Sequence, residues 1–154
     1  MKRSDDSSDF LLVTRGEANL AIPLPFVHKV IEAQEITPAE TGNDIIAGVI
    51  NYHGRVIPVL SLDKKFSMET KEISPEERFV LIRQNDSTYA IITDNKVEVI
   101  KIDNKHLQQD KGLFPGISGI HAFDHEDRKI IQILDPDTFF TSKEMADIQT
   151  ILIH

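Results

Sequence analysis

Acids at a spacing that could do chemistry occur in Leu134-Asp135-Pro136-Asp137-Thr138. An apolar run that ends in Asp-x-Asp-x-Thr can present one carboxylate as a nucleophile and a second as a proton shuttle. That arrangement would make the chain a magnesium-dependent phosphohydrolase using Asp135 and Asp137. The chemistry also needs a lysine, a Ser/Thr and further acids from later segments of a parallel α/β sheet. Little chain remains after Thr138 and no βαβ alternation precedes it. Asp-Pro at the end of a strand more often opens a turn, and the structural reading is favoured. His121 and His125 with Asp124, Glu126 and Asp127 form a second cluster. Their local pattern is a hairpin, in which positions i and i+4 lie about 13 Å apart along a strand, so a solvated acidic turn is expected and no metal site. No Gly-rich phosphate loop, G-x-S-x-G or H-E-x-x-H is present, and no spacing singles out a Ser/His/Asp triad. His28, His53 and the Lys64-Lys65 pair read as surface groups. The expectation is a protein without catalytic, cofactor or metal residues.

Composition narrows the class further. A formal net charge of −8 argues against nucleic-acid binding and against an anionic membrane surface. The absence of cysteine excludes disulfides and thiolate chemistry and suits a cytoplasmic protein. The polar start MKRSDDSSDF lacks a hydrophobic core, so no signal peptide is expected, and no apolar run reaches the roughly 20 residues of a membrane helix. Residues 1–8 have the composition of a disordered lead-in.

The positioning elements are mostly short strands. Asp9–Arg15 and Asn19–Pro23 form a hairpin around Gly16-Glu17. Pro25 to Glu32 places Phe26, Val30 and Ala33 beside Val27 and Ile31, the period of a short helix. Residues 67–77, SMETKEISPEE, are charged and turn-rich and mark the best boundary between two halves, approximately 9–66 and 78–140. In the second half Arg78–Arg83, Thr88–Thr93, Lys96–Ile102, Ile117–Phe123 and Lys129–Leu134 read as strands, and Asp135 to Phe140 as a helical turn. Residues 141–154 carry a final helix capped by Ser142, with Met145, Ile148 and Leu152 on one face. Many short strands and few helices make the chain all-β, built of two small barrels.

The most informative stretch is Ile45 to Leu62, two apolar runs separated by Asn51, Tyr52, His53 and Gly54. It reads as an antiparallel hairpin. Both alternation phases of Val56-Ile57-Pro58-Val59-Leu60 are apolar, so this strand must be covered on both sides, by core or by partner. Pro58 marks an edge, a bulge or a corner; Gly48 marks a bend or another backbone close by.

Gly48-Val49-Ile50-Asn51-Tyr52-His53-Gly54-Arg55-Val56-Ile57-Pro58-Val59-Leu60-Ser61-Leu62 resembles the signature of CheW-like domains, usually G-V-I-N-L-R-G-x-V-I-P-V-x-D-L. Phe10 to Val13 with Leu20 to Pro23 resembles that family's first hairpin, Val27 to Ile31 its V-x-E-I helix, and Tyr89 to Asp94 with Val97 and Val99 its G-x-x-V-D-x-V-x-x-V segment. Ile117 to Ile120 and Ile130 to Leu134 resemble the closing hairpin, so the likeness spans roughly residues 9 to 140. It implies two SH3-like five-stranded barrels packed together, with short helices and a C-terminal helix. It also implies a non-catalytic adaptor that couples the cytoplasmic signalling tip of a chemoreceptor to the regulatory domain of a CheA-type histidine kinase. The partner-binding residues it implies are Val27, Lys29, Gly48, Asn51, His53, Gly54 and Arg55. His53 stands where the family has Arg, Lys29 where it has Glu, and Ser61 where it has Asp. The usual acid–base pair has become Lys and His, which would repel once the imidazole is protonated. Altered partners, in a pathway other than motility, are the alternative that these departures raise.

Overall fold

The computed structural model describes residues 7–39, 42–69, 73–84, 86–103, 117–122, 130–137 and 139–153, with the backbone course alone for 117–122 and 152–153. Along the chain these hold β1 (Ser7–Arg15), β2 (Ala18–Pro23), a 3-10 turn at Leu24–Phe26, β3 (Val27–Glu32), β4 (Ile46–Tyr52) and β5 (Arg55–Leu60). After them come α1 (Leu62–Lys65), β6 (Arg78–Gln84), β7 (Ser87–Thr93), β8 (Val97–Asp103), β9 (Ile117–Ala122), β10 (Ile130–Leu134) and α2 (Ser142–Ile153). Strand β1 takes in Ser7 and Ser8, which corrects their place in the expected disordered lead-in; residues 1–6 lie outside the described residues.

The strands form two five-stranded sheets, ordered β8-β1-β2-β10-β9 and β3-β6-β7-β5-β4. The chain separates into two units, residues 1–26 with 96–139 and residues 27–95 with 140–154. The expected cut at 67–77 is therefore corrected. The chain begins in the first unit, builds the second from β3 to β7 and returns to complete the first with β8 to β10. Both sheets follow one scheme: two hairpins joined by a parallel strand pair, with an outer antiparallel strand. The parallel pair is β2 with β10 in the first unit and β7 with β5 in the second. At each joint stands a fully buried alanine, Ala21 opposite Ile133 and Ala90 opposite Val59. The repeat unit is thus β3 to β7, matched by β8 to β10 followed by β1 and β2.

In the first unit Phe10, Ala21, Ile102, Ile131 and Ile133 make a core cluster, with Leu12 and Ile100 against it. Along β8, Ile100 and Ile102 face the core, while Val99 is 60% exposed. In the second unit the cluster is Ile50, Ile57, Val59, Phe79, Leu81, Ala90 and Ile92. The opposite phase of these strands is buried too, at Leu60, Val80, Ile82, Tyr89 and Ile91. Helix α2 packs on β5 and α1 on β7, so the two-sided apolar character of β5 is answered by α2 of the same unit. Each buried Leu, Ile or Phe side chain contributes about 1.5–3 kcal/mol by leaving water.

Val27–Glu32 is a strand, which corrects the expected short helix. Its register against β6 shifts between Val27 and Lys29, so His28 is an extra residue in the ladder. A bulge of this kind moves an alternating pattern by one position. Apolar side chains then fall at 27, 30 and 31, the spacing of a helical stripe. The helix α2 is capped by Thr141, not Ser142. Thr141 Oγ1 accepts from Glu144 N at 3.1 Å and Glu144 Oε1 accepts from Thr141 N at 2.9 Å, a reciprocal capping box. Lys65 is no surface group: its Nζ meets Glu144 Oε1 at 2.9 Å, with both side chains less than 15% exposed.

Candidate protein-docking surface

The hairpin of β4 and β5 turns through two residues, His53 at φ 52° and Gly54 at φ 80°. Two consecutive positive φ values make a type I′ turn, whose twist matches that of the flanking strands. Histidine is among the few side chains enriched in the left-handed region, and Gly54 adopts it without strain. Asn51 Oδ1 accepts from Gly54 N at 2.9 Å and braces the loop. Asn51, His53, Gly54 and Arg55 are all exposed. The Tyr52 ring packs against the core of this unit and meets the His53 ring edge-on, centroids 4.2 Å apart.

Deeper in the hairpin, Gly48 is buried and lies at a second register shift, between Ile46 and Gly48. Its φ is +152°, and a Cβ there would stand on the carbonyl oxygen of Thr37 and 2.6 Å from Ile36 Cγ2. Thr37 and Val49 exchange both backbone hydrogen bonds, each 2.8 Å. Gly48 is therefore where another stretch of backbone crosses the strand. Because Val49 directs its N–H and C=O toward Thr37, its pair with Pro58 on β5 is one without hydrogen bonds. The missing N–H of Pro58 costs the β4–β5 ladder nothing, and pairing with β7 begins only at Val59.

The tip borders a recess of about 320 Å³. Its lining comprises His28 and Lys29 of β3, Tyr52, His53 and Arg55 of the hairpin, Ile57 of β5 and Thr88 of β7. Lys29 Nζ stands 6.0 Å from the Tyr52 ring centroid, within reach of a cation–π attraction. Arg83 Nη2 lies 3.5 Å from His28 Nε2; a guanidinium can only donate, so the contact casts Nε2 as acceptor. Lys29 and His53 thus share one recess with the tyrosine ring beside both.

Of the residues expected to bind a partner, Lys29, His53 and Arg55 come together in this recess. Asn51 and Gly54 shape the turn, while Val27 and Gly48 lie outside the lining. His28, Tyr52, Ile57 and Thr88, which the sequence does not mark as partner contacts, join the recess through strand pairing. Asp135 and Asp137 form a turn: Asp135 Oδ1 accepts from Asp137 N at 3.0 Å, and Asp135 O accepts from Phe139 N at 2.8 Å. Asp135 is committed to holding the chain, which favours the structural reading of this motif. Among the described residues no three His, Asp or Glu side chains group as metal ligands; His125 and its acidic neighbours lie outside them. No described helix is long and apolar enough to cross a membrane.

The CheW-like domain model matches residues 9–144. A chemotaxis protein CheW of Treponema pallidum is 22% identical over 98% of this chain and 92% of its own length. Another, of Thermotoga maritima, is 30% identical over 59% of this chain and 60% of its own. In structure the chain resembles the scaffolding protein TtCheW of Thermoanaerobacter tengcongensis, with a TM-score of 0.73, 24% identity and coverage of 83% of this chain and 84% of that one. That likeness shows the SH3-like architecture of the two units. With the family match running from β1 into α2, the chain belongs to the CheW-like domain family of non-catalytic chemotaxis scaffold proteins.

Proposed function

We propose that the chain is a cytoplasmic adaptor that couples the signalling tip of a chemoreceptor to the regulatory domain of a CheA-type histidine kinase. The observation that carries this reading is the β4–β5 hairpin tip. Its family-like sequence is held by a type I′ turn, and the polar side chains of Asn51, His53 and Arg55 remain outside the core. A rigid, solvent-facing tip loses little conformational entropy on docking. In this reading Lys29, Asn51, His53, Gly54 and Arg55 contact the partner, and Val27 and Gly48 set the course of the strands that carry them. Titration calorimetry of the intact chain against the kinase regulatory domain and the receptor tip of the same genome tests it. Binding of at least one at tens of micromolar or tighter is expected; silence with both would rule the adaptor role out.

A further inference from the structure

The charge at this surface opposes that of the whole chain. Strands β3 to β7 carry four permanent cations, Lys29, Arg55, Arg78 and Arg83, against one acid, Glu32. The chain as a whole has net charge −8. Two of the four, Lys29 and Arg55, line the recess; His28 and His53 add ring N–H groups, and Arg83 adjoins through His28. Glu32 stands at the far end of β3 from Val27, and Asp86 in the turn between β6 and β7. Neither forms an ion pair with these cations, and no described carboxylate lies within 4 Å of Lys29, Arg55 or Arg83.

We propose that the recess bounded by Lys29, Tyr52, His53 and Arg55 recognises the carboxylate of a Glu- or Asp-bearing segment of the partner protein. The proposal rests on the adaptor reading and adds the chemistry of the partner. Ile57 and the Tyr52 ring give the recess an apolar wall, which strengthens attraction to an acid seated against it. Arg55 supplies a planar fork suited to two-point contact with a carboxylate; Lys29 supplies a point charge. A protein carboxylate fits better than a polyanion. The recess is about 320 Å³, the scale of a few side chains, and an extended nucleic acid or lipid surface would meet the excess acids elsewhere on the chain. Recognition of this kind loses strength as salt rises.

Two measurements test the proposal. The first needs no natural partner: hexaglutamate peptide is titrated into the intact chain while backbone amide shifts are followed by NMR. Shifts concentrated at His28, Lys29 and Tyr52 to Arg55, lost in Arg55→Glu and weakened by added salt, are expected. Shifts spread over the surface, or none, would overturn the proposal. So would binding to phosphatidylglycerol vesicles that hexaglutamate fails to displace. The second measures affinity for the kinase regulatory domain and the receptor tip. Lys29→Glu and Arg55→Glu should each weaken one of them about tenfold or more. Both side chains are exposed, so the thermal midpoint should hold and separate docking from folding. Wild-type binding left within twofold by both reversals would refute acid recognition and leave the adaptor reading standing. Localised hexaglutamate shifts without binding to either protein would refute the adaptor reading and uphold the recess.

Discussion

Replacing Gly48 by alanine should damage the fold of the second unit, and the structure sets the size of the effect. The added methyl would stand on the Thr37 carbonyl oxygen, 2.6 Å from Ile36 Cγ2 and 2.9 Å from the Thr37 carbonyl carbon. Backbone, unlike the end of a flexible side chain, cannot step aside cheaply. The φ of +152° adds strain of about 1–3 kcal/mol for a residue with a Cβ. Displacing the crossing segment would also sacrifice the two Thr37–Val49 hydrogen bonds, about 0.5–1.5 kcal/mol each. Together these give a loss of roughly 2–6 kcal/mol, a large share of the 5–15 kcal/mol typical of a folded domain. For a chain of this size that lowers the thermal midpoint by about 4–24 °C. Calorimetric melting and urea titration of the two proteins measure it. A midpoint within about 2 °C of wild type would refute the close-approach reasoning.

Further outcomes follow from the helices and the second-unit core. Lys65→Ala strands the nearly buried Glu144 carboxylate and should cost about 2–3 kcal/mol; Lys65→Met with Glu144→Gln should recover much of it, since glutamine still accepts from Thr141 N. Equal melting of both variants would contradict the pairing. Tyr89 is fully buried with a hydroxyl that has no hydrogen-bond partner among the described residues, so Tyr89→Phe should leave stability unchanged or raise it by about 1 kcal/mol, as urea titration will show. Burial pushes that phenol well above its usual value. Its contribution is therefore intact below the unfolded value near 10 and lost as pH rises above it, and Tyr89→Phe should flatten that alkaline loss. The Asn43 side-chain hydrogen bond, followed by Lys143, holds the Asp147 carboxyl below its ordinary value. That stabilisation is present above the unfolded value of 3.8 and fades as pH falls below it, so Asn43→Ala should shrink the acid-side decline in melting temperature. An unchanged acid limb would count against the link between the 43–45 turn and α2.

The strands were legible because alternation and β-branched content mark them directly, and the hairpins because their turns are short. Gly48 and the two-sided β5 were legible for the same reason: an odd residue in a strand asks for a neighbour. Three features resisted. The bulge at His28 disguised a strand as a helix, because one extra residue turns period two into the i, i+3, i+4 spacing. The exchange of strands between units leaves no local mark; β1 and β2 pair with β8 and β10, far along the chain. The charged boundary at 67–77 falls inside one unit. At the surface, Lys29, His53 and Arg55 were visible through the family motif, but Tyr52 and His28 enter the recess only through strand register. Lys65 read as solvated because Glu144, its partner, is distant in sequence.

The central claim is coupling, and kinase activity measures it most directly. Receptor tip, CheA-type kinase and this chain are combined, and autophosphorylation is followed with and without receptor ligand. The account predicts that kinase activity depends on receptor ligand only when the chain is present, and that Arg55→Glu weakens this dependence. Receptor control of the kinase that is the same without the chain, or absent at saturating chain, would contradict it.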